Sequence, residues 1–423
     1  MRLNKNIIGL KPSATLLINE KVKSLRKEGK EISHFGFGQS PFPIFPSITE
    51  ALKEHVGNNH YLPVNGLSSL RKEIAKFLSS HQQVLVNSES IYIGPGSKEL
   101  LYQSILIFEG HFLIPKGSWV SYIPQIKSKG GSYTILETDL KNDFKLTPEA
   151  LEAFLLKSES TEHVLILNSP NNPTGAVYTD EEYQDLAIIC RKYNIIVLSD
   201  EIYSQINFTE DYSASISKYY PEKTIVFGGL SKVFSAGGYR LGFMALPNEM
   251  SELSNVYKSL FSETFSCVSS PIQMAAITAY EYSPDLIKYV NDSSSILKGV
   301  SQYIFESLRT NKISSTNPQG SFYMMIGFDQ LQQQIHKLGI KTSQELAHYL
   351  LEKYQVALLP ASDFGFQKEA LFFRLAFVDF DGEKVMKAYQ ENPDVNATFI
   401  KRNCSSIFKG VQRLIDFAKD LEN

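Results

Sequence analysis

Short apolar runs alternate with amphipathic segments between about residue 90 and residue 242. The runs with the length and composition of strands are Ser90–Gly94 (SIYIG), His163–Leu167 (HVLIL), Ile195–Leu198 (IIVL) and Thr224–Phe227 (TIVF). Helical patterns lie between them, and the one after Thr179 opens with the capping-box sequence TDEE. Uniformly apolar strands separated by amphipathic helices predict a mainly parallel sheet with helices on both faces. We therefore expect a three-layer α/β fold here.

The last third of the chain has a different order of elements. A long helical stretch from Pro284 to Thr310 precedes the strand-like PQGSFYMMIGF, a helix near Ser343–Tyr354, and the strand-like YQVALLP and LFFRLAFV. Helices followed by strands, with little parallel alternation, predict a separate α+β unit. We expect an N-terminal arm and part of a small domain at residues 1–45, a large domain at 46–285, and the rest of the small domain at 286–423.

The composition of the chain argues against nucleic acid, membranes and metals as binding partners. The 423 residues include 42 basic and 45 acidic side chains, a formal net charge of −3, which gives no basis for binding nucleic acid. No apolar run approaches the ~18–20 residues of a membrane span. The three cysteines are scattered, which argues against a disulfide framework or a cysteine-based metal motif. We expect a cytoplasmic protein without a metal, a nucleic-acid partner or a membrane partner.

The first thirty residues hold eight basic and two acidic side chains, which raises the question of a transit peptide. However, Leu16, Leu17, Val22 and Leu25 approximate one face of a helix that ends at Gly29. We interpret this segment as a surface helix.

Polar residues with distinctive chemistry follow each apolar run. Ser97 follows the first run, Asn172 the second, Asp200 the third and Lys232 the fourth. Ligands of such sheets bind beyond the carboxyl ends of the strands, so we expect these side chains to share a site. Each also has an ordinary structural explanation when taken alone, such as a helix N-cap, an Asx turn or a surface lysine.

The chemistry of these positions suits a phosphorylated pyridine. Arg240 lies between glycines in GGYRLGF, where its guanidinium fork is available to a phosphate. The first amides of the helix at Ser97 and Lys98 form a second anion site. Asp200 has no basic neighbour in sequence, and a protonated pyridine nitrogen would supply its cation. An aspartate at that nitrogen is how pyridoxal 5'-phosphate (PLP) is held as an electron sink.

The sequence resembles the fold-type I PLP-dependent enzymes, specifically the class I/II aminotransferase family. The matching segments keep the family's order and are GFGQSPFP, HYLPVNGLSSLR, GPGSKELL, PKGSWVSY, NSPNNPTG, SDEIY, GGLSKVFSAGGYRLGF, SSPIQMAA, PQGSFYMM, LLPASDFG and FFRLAF. They cover residues from about 35 to about 378. The resemblance implies PLP as the cofactor and makes 46–285 the PLP-binding large domain.

The resemblance also implies a role for each matching residue in cofactor binding. Lys232 matches the lysine that forms the Schiff base with PLP, and Asp200 matches the partner of the ring nitrogen. The remaining cofactor positions are Asn172 and Tyr203 at the ring oxygen, Trp119 against the ring face, and Ser97, Lys98 and Arg240 at the phosphate. Lys232, Asp200 and Tyr203 are thus the implied catalytic residues.

Substrate and subunit contacts are implied in the same way. Arg374 matches the arginine that clamps the substrate α-carboxylate, with Gly38 and Asn172 beside it. Tyr61 matches a tyrosine that reaches the phosphate of the neighbouring subunit, which implies a homodimer with shared active sites.

The chain departs from the family pattern in three places. Gly229 stands where a serine or threonine usually binds the phosphate, and Ala361 replaces a common glycine. Residues 387–409 are longer than the usual connection to the last helix, and we expect a surface loop there.

The implied activity is ping-pong transfer of an amino group from an L-amino acid to a 2-oxo acid, with Lys232 as the general base at Cα. Two alternatives stay open: a PLP-dependent β/γ-eliminating lyase of the same fold, and a PLP-binding regulator without turnover. The sequence does not identify the donor side chain. A weak hint of apolar or aromatic donors comes from a phenylalanine-rich segment that includes Phe35, Phe37, Phe42 and Phe45.

Overall fold

The structure is a computed structural model that describes residues 1–209 and 214–422. The α-helices of this part of the chain, α1 to α16 in order, are Lys5–Ile8, Ala14–Lys27, Pro46–His55, Ser68–Gln82, Ser97–Ile107, Tyr122–Lys129, Pro148–Leu155, Asp180–Lys192, Leu253–Ser262, Ser270–Glu281, Pro284–Arg309, Gln332–Lys337, Ser343–Tyr354, Gly382–Glu391, Ala397–Asn403 and Ser405–Asp420. Its β-strands, β1 to β13, are Ser33–His34, Ile91–Gly94, His111–Pro115, Tyr133–Leu136, His163–Asn168, Ile196–Asp200, Thr224–Gly229, Gly242–Ala245, Ser314–Ser315, Tyr323–Gly327, Val356–Ala357, Leu359–Pro360 and Phe372–Ala376.

A seven-stranded sheet in the order β2-β8-β7-β6-β5-β3-β4 forms the centre of the large unit. Its strands are parallel from β7 to β4, and β8 runs antiparallel to both of its neighbours. Alternate residues of β5 pack on opposite faces: Val164 and Ile166 with α5, α6 and α9, and Leu165 and Leu167 with α7 and α8. Helices therefore cover both faces, and the predicted three-layer α/β fold is confirmed.

The C-terminal part builds a second, smaller sheet in the order β12-β13-β10-β9, in which neighbouring strands are antiparallel. Residues near the N-terminus join this unit, because β1 pairs in parallel with β11. The long helix α11 begins at Pro284, next to the boundary expected at residues 285 and 286. We propose the domain division given by the sequence on the basis of these pairings.

The expectation of a surface loop at residues 387–409 is wrong. Helix α14 continues to Glu391, α15 follows, and α16 begins at Ser405. The side chains of Phe399, Ile400 and Cys404 are buried in the core of the C-terminal unit. Asn396 caps α15 by accepting a hydrogen bond from the amide of Phe399. An apolar stripe and a local cap thus make this segment helical rather than irregular.

The surface helix expected before Gly29 is α2, in which Val22 and Leu25 are buried while Leu16 and Leu17 stay exposed. Arg26 fixes its end to the C-terminal unit through a 2.7 Å ion pair with Asp379. Among the described residues, no helix combines the length and the apolarity needed to cross a membrane.

Candidate active site

A cavity of about 500 Å³ lies at the carboxyl ends of the central strands, where the large sheet faces the C-terminal unit. Every site residue that the sequence predicts lines it, except Tyr61. Those residues are Gly38, Ser97, Lys98, Trp119, Asn172, Asp200, Tyr203, Lys232, Arg240 and Arg374. The parallel sheet brings Asn172, Asp200 and Lys232 together because they follow or end neighbouring strands at the same edge. Arg374 reaches the cavity from β13 of the smaller sheet.

Asp200 ends β6 at the base of the cavity and is almost fully buried. Its Oδ2 accepts a 2.7 Å hydrogen bond from the hydroxyl of Tyr122, and its Oδ1 accepts from the amide of Ile202. Burial raises the pKa of Asp200 to about 6, although the Tyr122 hydrogen bond and the charge of Lys232 oppose the shift. A cation bound at this carboxylate would relieve the desolvation that burial imposes.

Lys232 enters the cavity from the loop that follows β7. Its Nζ donates a 3.0 Å hydrogen bond to the carbonyl of Gly38. It also lies 5.6 Å from the ring centre of Tyr203 and 5.3 Å from that of Phe322. The contacts of the amine are therefore one carbonyl and two ring faces, while the charges of Asp200 and Lys98 act on it from a greater distance.

Arg374 lies on β13 and is 1% exposed. One terminal nitrogen donates to Oδ1 of Asn172 at 3.2 Å and the other to the carbonyl of Gly36 at 2.8 Å. Its Nε has no partner within the described chain. Burial lowers the pKa of Arg374, since the cation lacks a carboxylate at ion-pair distance there. A buried guanidinium without an acid partner suits a carboxylate ligand.

A second set of cations lies at the N-terminus of α5. Lys98 and Arg240 line the cavity together with Ser97, the first residue of that helix. Burial lowers the pKa of Lys98, and the charges of Arg240 and Lys232 lower it further. No carboxylate of residues 1–209 or 214–422 lies at ion-pair distance from these three cations. Their mutual repulsion is relieved by an anion, and the helix dipole favours the same charge.

Glycines bring three strands directly beneath this anion site. Gly94 and Gly229 pair with Gly242 from opposite sides. A Cβ on Gly242 would lie 2.4 Å from the amide nitrogen of Ser97, so the strand backbone lies against the start of α5. A Cβ on Gly229 would lie 2.8 Å from the Cα of Gly242. The hydroxyl residue usual at that position has no room in this chain unless the backbone shifts.

Two predicted residues lie at the margins of the site. Trp119 is half-buried, its ring meets that of Tyr122 edge-on at 5.4 Å, and the Nζ of Lys98 lies 5.0 Å from its centre. Tyr61 is 90% exposed and does not line the cavity. The structure thus places Trp119 where a planar ligand can stack and Tyr61 outside the site of its own chain.

These residues fit PLP. The buried carboxylate of Asp200 suits the protonated ring nitrogen, and the cations and helix amides at the start of α5 suit the phosphate. Asn172 and Tyr203 would bind the ring oxygen, and Lys232 would bind the carbonyl carbon. No group of three or more metal-ligating side chains occurs within the described chain.

Sequence reasoning missed several residues that line or support the cavity. Tyr122 was overlooked because nothing in the sequence pairs it with Asp200, 78 positions away. Tyr323, on β10, lines the cavity, as do Ser13 and Thr15 from the N-terminal arm. The motifs PKGSWVSY and PQGSFYMM contain these two tyrosines, but the motifs alone assign no role to either.

The phenylalanine-rich segment gives little support for an apolar donor. Phe35 and Phe42 are buried in the core of the C-terminal unit. Phe45 packs on Tyr289, with ring centres 5.4 Å apart. Phe37 alone of the four lines the cavity.

Comparisons with known proteins agree with this geometry. Residues 30–390 match the family described as aminotransferase class I and II. The aspartate aminotransferase of Geobacillus stearothermophilus is 32% identical over 86% of this chain and 92% of its own length. The probable aspartate/prephenate aminotransferase of Aquifex aeolicus is 32% identical over 86% of this chain and 91% of its own.

The fold is shared with solved structures. The aspartate aminotransferase of Thermus thermophilus with maleate superposes with a TM-score of 0.84 at 23% identity, over 98% of this chain and all of that one. Enzymes of this type use PLP, and neither the eliminating lyase nor the regulator without turnover is favoured. The chain belongs to the class I and II aminotransferase family and is a PLP-dependent aminotransferase.

Proposed function

We propose that the amino donor is an acidic L-amino acid, with aspartate or glutamate as the preferred donor and their 2-oxo acids as acceptors. The observation that carries the proposal is Lys98, an ammonium in the cavity without a carboxylate partner among the described residues. The hydroxyl residues Ser13 and Thr15 line the same cavity. A lysine with two hydroxyls is a donor set suited to a second carboxylate.

Related proteins support an acidic substrate. Relatives 30% or more identical carry the names aspartate aminotransferase and probable aspartate/prephenate aminotransferase. The Thermus thermophilus protein that shares this fold is described with maleate, a four-carbon dicarboxylate. A dicarboxylate has a charge at each end, and this cavity holds the buried guanidinium of Arg374 and the ammonium of Lys98.

The proposed roles of the other residues follow from their positions. Arg374 would hold the α-carboxylate, and Lys232, released from the Gly38 carbonyl, would take the proton from the substrate Cα as the general base. Asp200 keeps a proton at the ring nitrogen, and Tyr122 orients that carboxylate. The chemistry that PLP supplies when bound is the uptake, by its ring, of the electrons of the bond broken at Cα.

The same residues serve two half-reactions, which is the basis of the proposed ping-pong order. The cavity has one arginine for an α-carboxylate within the described chain, so donor and acceptor occupy it in turn. The backbone amides of Ser97 and Lys98, with Arg240, would hold the phosphate in both half-reactions. Lys98 thus contributes its amide to the cofactor and its ammonium to the substrate.

The substitution Lys98→Met tests the acidic donor. We expect kcat/KM for aspartate and glutamate to fall about 100-fold, because a charge-assisted hydrogen bond to the distal carboxylate is lost. Activity with alanine or phenylalanine should change little, since these donors lack that carboxylate. Steady-state kinetics with each donor and 2-oxoglutarate measures the difference.

Lys127→Met is the matched control, because Lys127 packs on Tyr133 outside this cavity. It removes the same charge and should leave both classes of donor unchanged. An equal loss for acidic and uncharged donors in Lys98→Met would mean that Lys98 serves only the cofactor, and the acidic donor would be rejected.

We also propose a cytoplasmic homodimer in which Tyr61 completes the phosphate site of the second copy. Its 90% exposure and its position outside its own cavity support this assignment. The free cysteines Cys190, Cys267 and Cys404 suit a reducing compartment.

Mixing two inactive variants tests the shared site. Tyr61→Ala and Lys232→Ala are each expected to have little activity, and sedimentation should give twice the chain mass for both. Subunit exchange between them should restore activity, because one site of each mixed dimer then has both residues intact. Two inactive variants that stay inactive after exchange, or a monomeric mass, would contradict the shared site.

A further inference from the structure

We propose that Tyr323 is a positioning residue that couples the carboxylate-binding end of the cavity to the amine of Lys232. The inference deepens the proposed function and rests on its assignment of Lys232 and Arg374. Tyr323 lies on β10 beside Arg374's strand, is 2% exposed, and contacts groups at both ends of the cavity.

The hydroxyl of Tyr323 lies in a chain of hydrogen bonds that ends where Lys232 is held. The hydroxyl of Tyr203 donates to that of Tyr323 at 3.2 Å, and Tyr323 donates to the carbonyl of Gly38 at 3.3 Å. The Nζ of Lys232 donates to the same carbonyl at 3.0 Å. Tyr323 and Lys232 therefore share one acceptor, and a change at either donor alters the other.

The ring of Tyr323 fixes the guanidinium of Arg374. The guanidinium carbon lies 4.6 Å from the ring centre, and the ring of Phe364 approaches it at 5.3 Å. Two aromatic faces leave a planar cation few orientations. One side chain thus orients the α-carboxylate ligand by its ring and the acceptor of Lys232 by its hydroxyl.

The segment of residues 36–38 connects the orientation of Arg374 with the position of the Lys232 amine. The carbonyl of Gly36 accepts from Arg374, and the carbonyl of Gly38 accepts from Lys232. A Cβ on Gly38 would lie 2.0 Å from the hydroxyl oxygen of Tyr323, so the backbone fits directly against this side chain. A carboxylate that draws Arg374 away from Gly36 thereby acts on the segment that holds Lys232.

Two substitutions in the holoenzyme separate the hydroxyl from the ring. Tyr323→Phe keeps the ring over Arg374, so we expect kcat with the best donor to fall roughly tenfold while KM stays within about twofold. Tyr323→Leu also removes the ring, and KM should rise roughly tenfold. Binding of maleate, followed by the shift of the visible absorption band, should be unchanged in the phenylalanine variant and weakened in the leucine variant.

The matched control is Tyr280→Phe, a buried tyrosine outside the cavity whose hydroxyl has no partner among the described residues. It should leave kcat, KM and the band unchanged. Equal kinetics for Tyr323→Phe and wild type would overturn the proposal, as would a parallel loss of kcat and maleate binding in that variant.

The test of Tyr323 does not depend on whether the preferred amino donor is acidic. If wild type prefers an uncharged donor, 3-phenylpropionate replaces maleate, because Arg374 binds the carboxylate common to both. The proposal of an acidic donor would then be rejected. The different effects of Tyr323→Phe and Tyr323→Leu on kcat, KM and ligand binding would still test the role of Tyr323.

Discussion

Replacing Lys232 by alanine is expected to lower kcat for transamination about 10,000-fold, the upper range for a positioned acid–base group. The amine is the one group on its loop that lines the cavity and can take a proton from the substrate Cα. Alanine leaves the Gly38 carbonyl with the Tyr323 hydroxyl as a donor, so the fold should be kept. Single-turnover kinetics with aspartate and the visible spectrum of the purified protein measure the effect.

Two further measurements make the result specific to the amine. Lys232→Arg keeps a positive charge but should be as inactive as alanine, because a guanidinium does not release its proton. Added methylamine should restore part of the activity of the alanine variant by entering the vacated space. An unchanged visible band and substantial turnover in Lys232→Ala would remove Lys232 from the mechanism.

Asp200→Asn should change activity and stability in opposite directions. We expect kcat to fall about 1,000-fold, since an amide holds no positive charge at the ring nitrogen. The cofactor-free variant should nevertheless be more stable than wild type near neutral pH, by up to about 3 kcal/mol. The stabilisation arises because asparagine carries no buried charge. Its single side-chain oxygen can accept from Tyr122 but then not from the amide of Ile202, so the gain stays below the full cost of burying the charge.

The stability difference between wild type and Asp200→Asn should depend on pH in a defined direction. Burial raises the pKa of Asp200 from an ordinary 3.8 to about 6, so folding favours its protonated form. Its unfavourable contribution is absent below the unfolded pKa and complete above the folded one. The free energy of unfolding of cofactor-free wild type should therefore fall, relative to the variant, as the pH rises from about 4 to about 6.

Denaturant unfolding of both cofactor-free proteins at about pH 4 and about pH 8 measures the difference. Glu201→Gln is the control, because burial raises the pKa of that neighbouring carboxyl to about 7 while Glu201 binds Ser199 and Ser215 outside the cavity. It should keep most of the activity. A wild type that is more stable than Asp200→Asn at about pH 8 would contradict the assigned cost of burial.

The parts of the site that the sequence predicts are those fixed by local chain order. Asp200 ends one apolar strand and Lys232 lies in the loop after the next, and in a parallel sheet this alone brings them to one edge. The same rule holds for Asn172 and for the helix start at Ser97. The motifs then assign roles that strand order alone leaves open.

The residues that escaped prediction depend on contacts between distant segments. Tyr122 and Asp200 meet across 78 positions, and Tyr323 and Gly38 across 285. No local pattern marks such pairs, because a buried tyrosine has the same sequence signature whether its hydroxyl binds a carboxylate or none. The helices at 387–409 are hard to predict for another reason, since their caps and short apolar stripe are weak signals beside the polar composition of the segment.

The uncompensated cations at the start of α5 tie the stability of the protein to the ions around it. Lys98, Lys232 and Arg240 repel one another, so any anion that binds among them stabilises the native state, and the more so the higher its concentration relative to its Kd. The cofactor phosphate, inorganic phosphate and sulfate thus compete for the same cations, and each stabilises the native state when it binds. Anions of the buffer therefore act as ligands. Both the affinity for PLP and the unfolding temperature should depend on which salt is present and at what concentration.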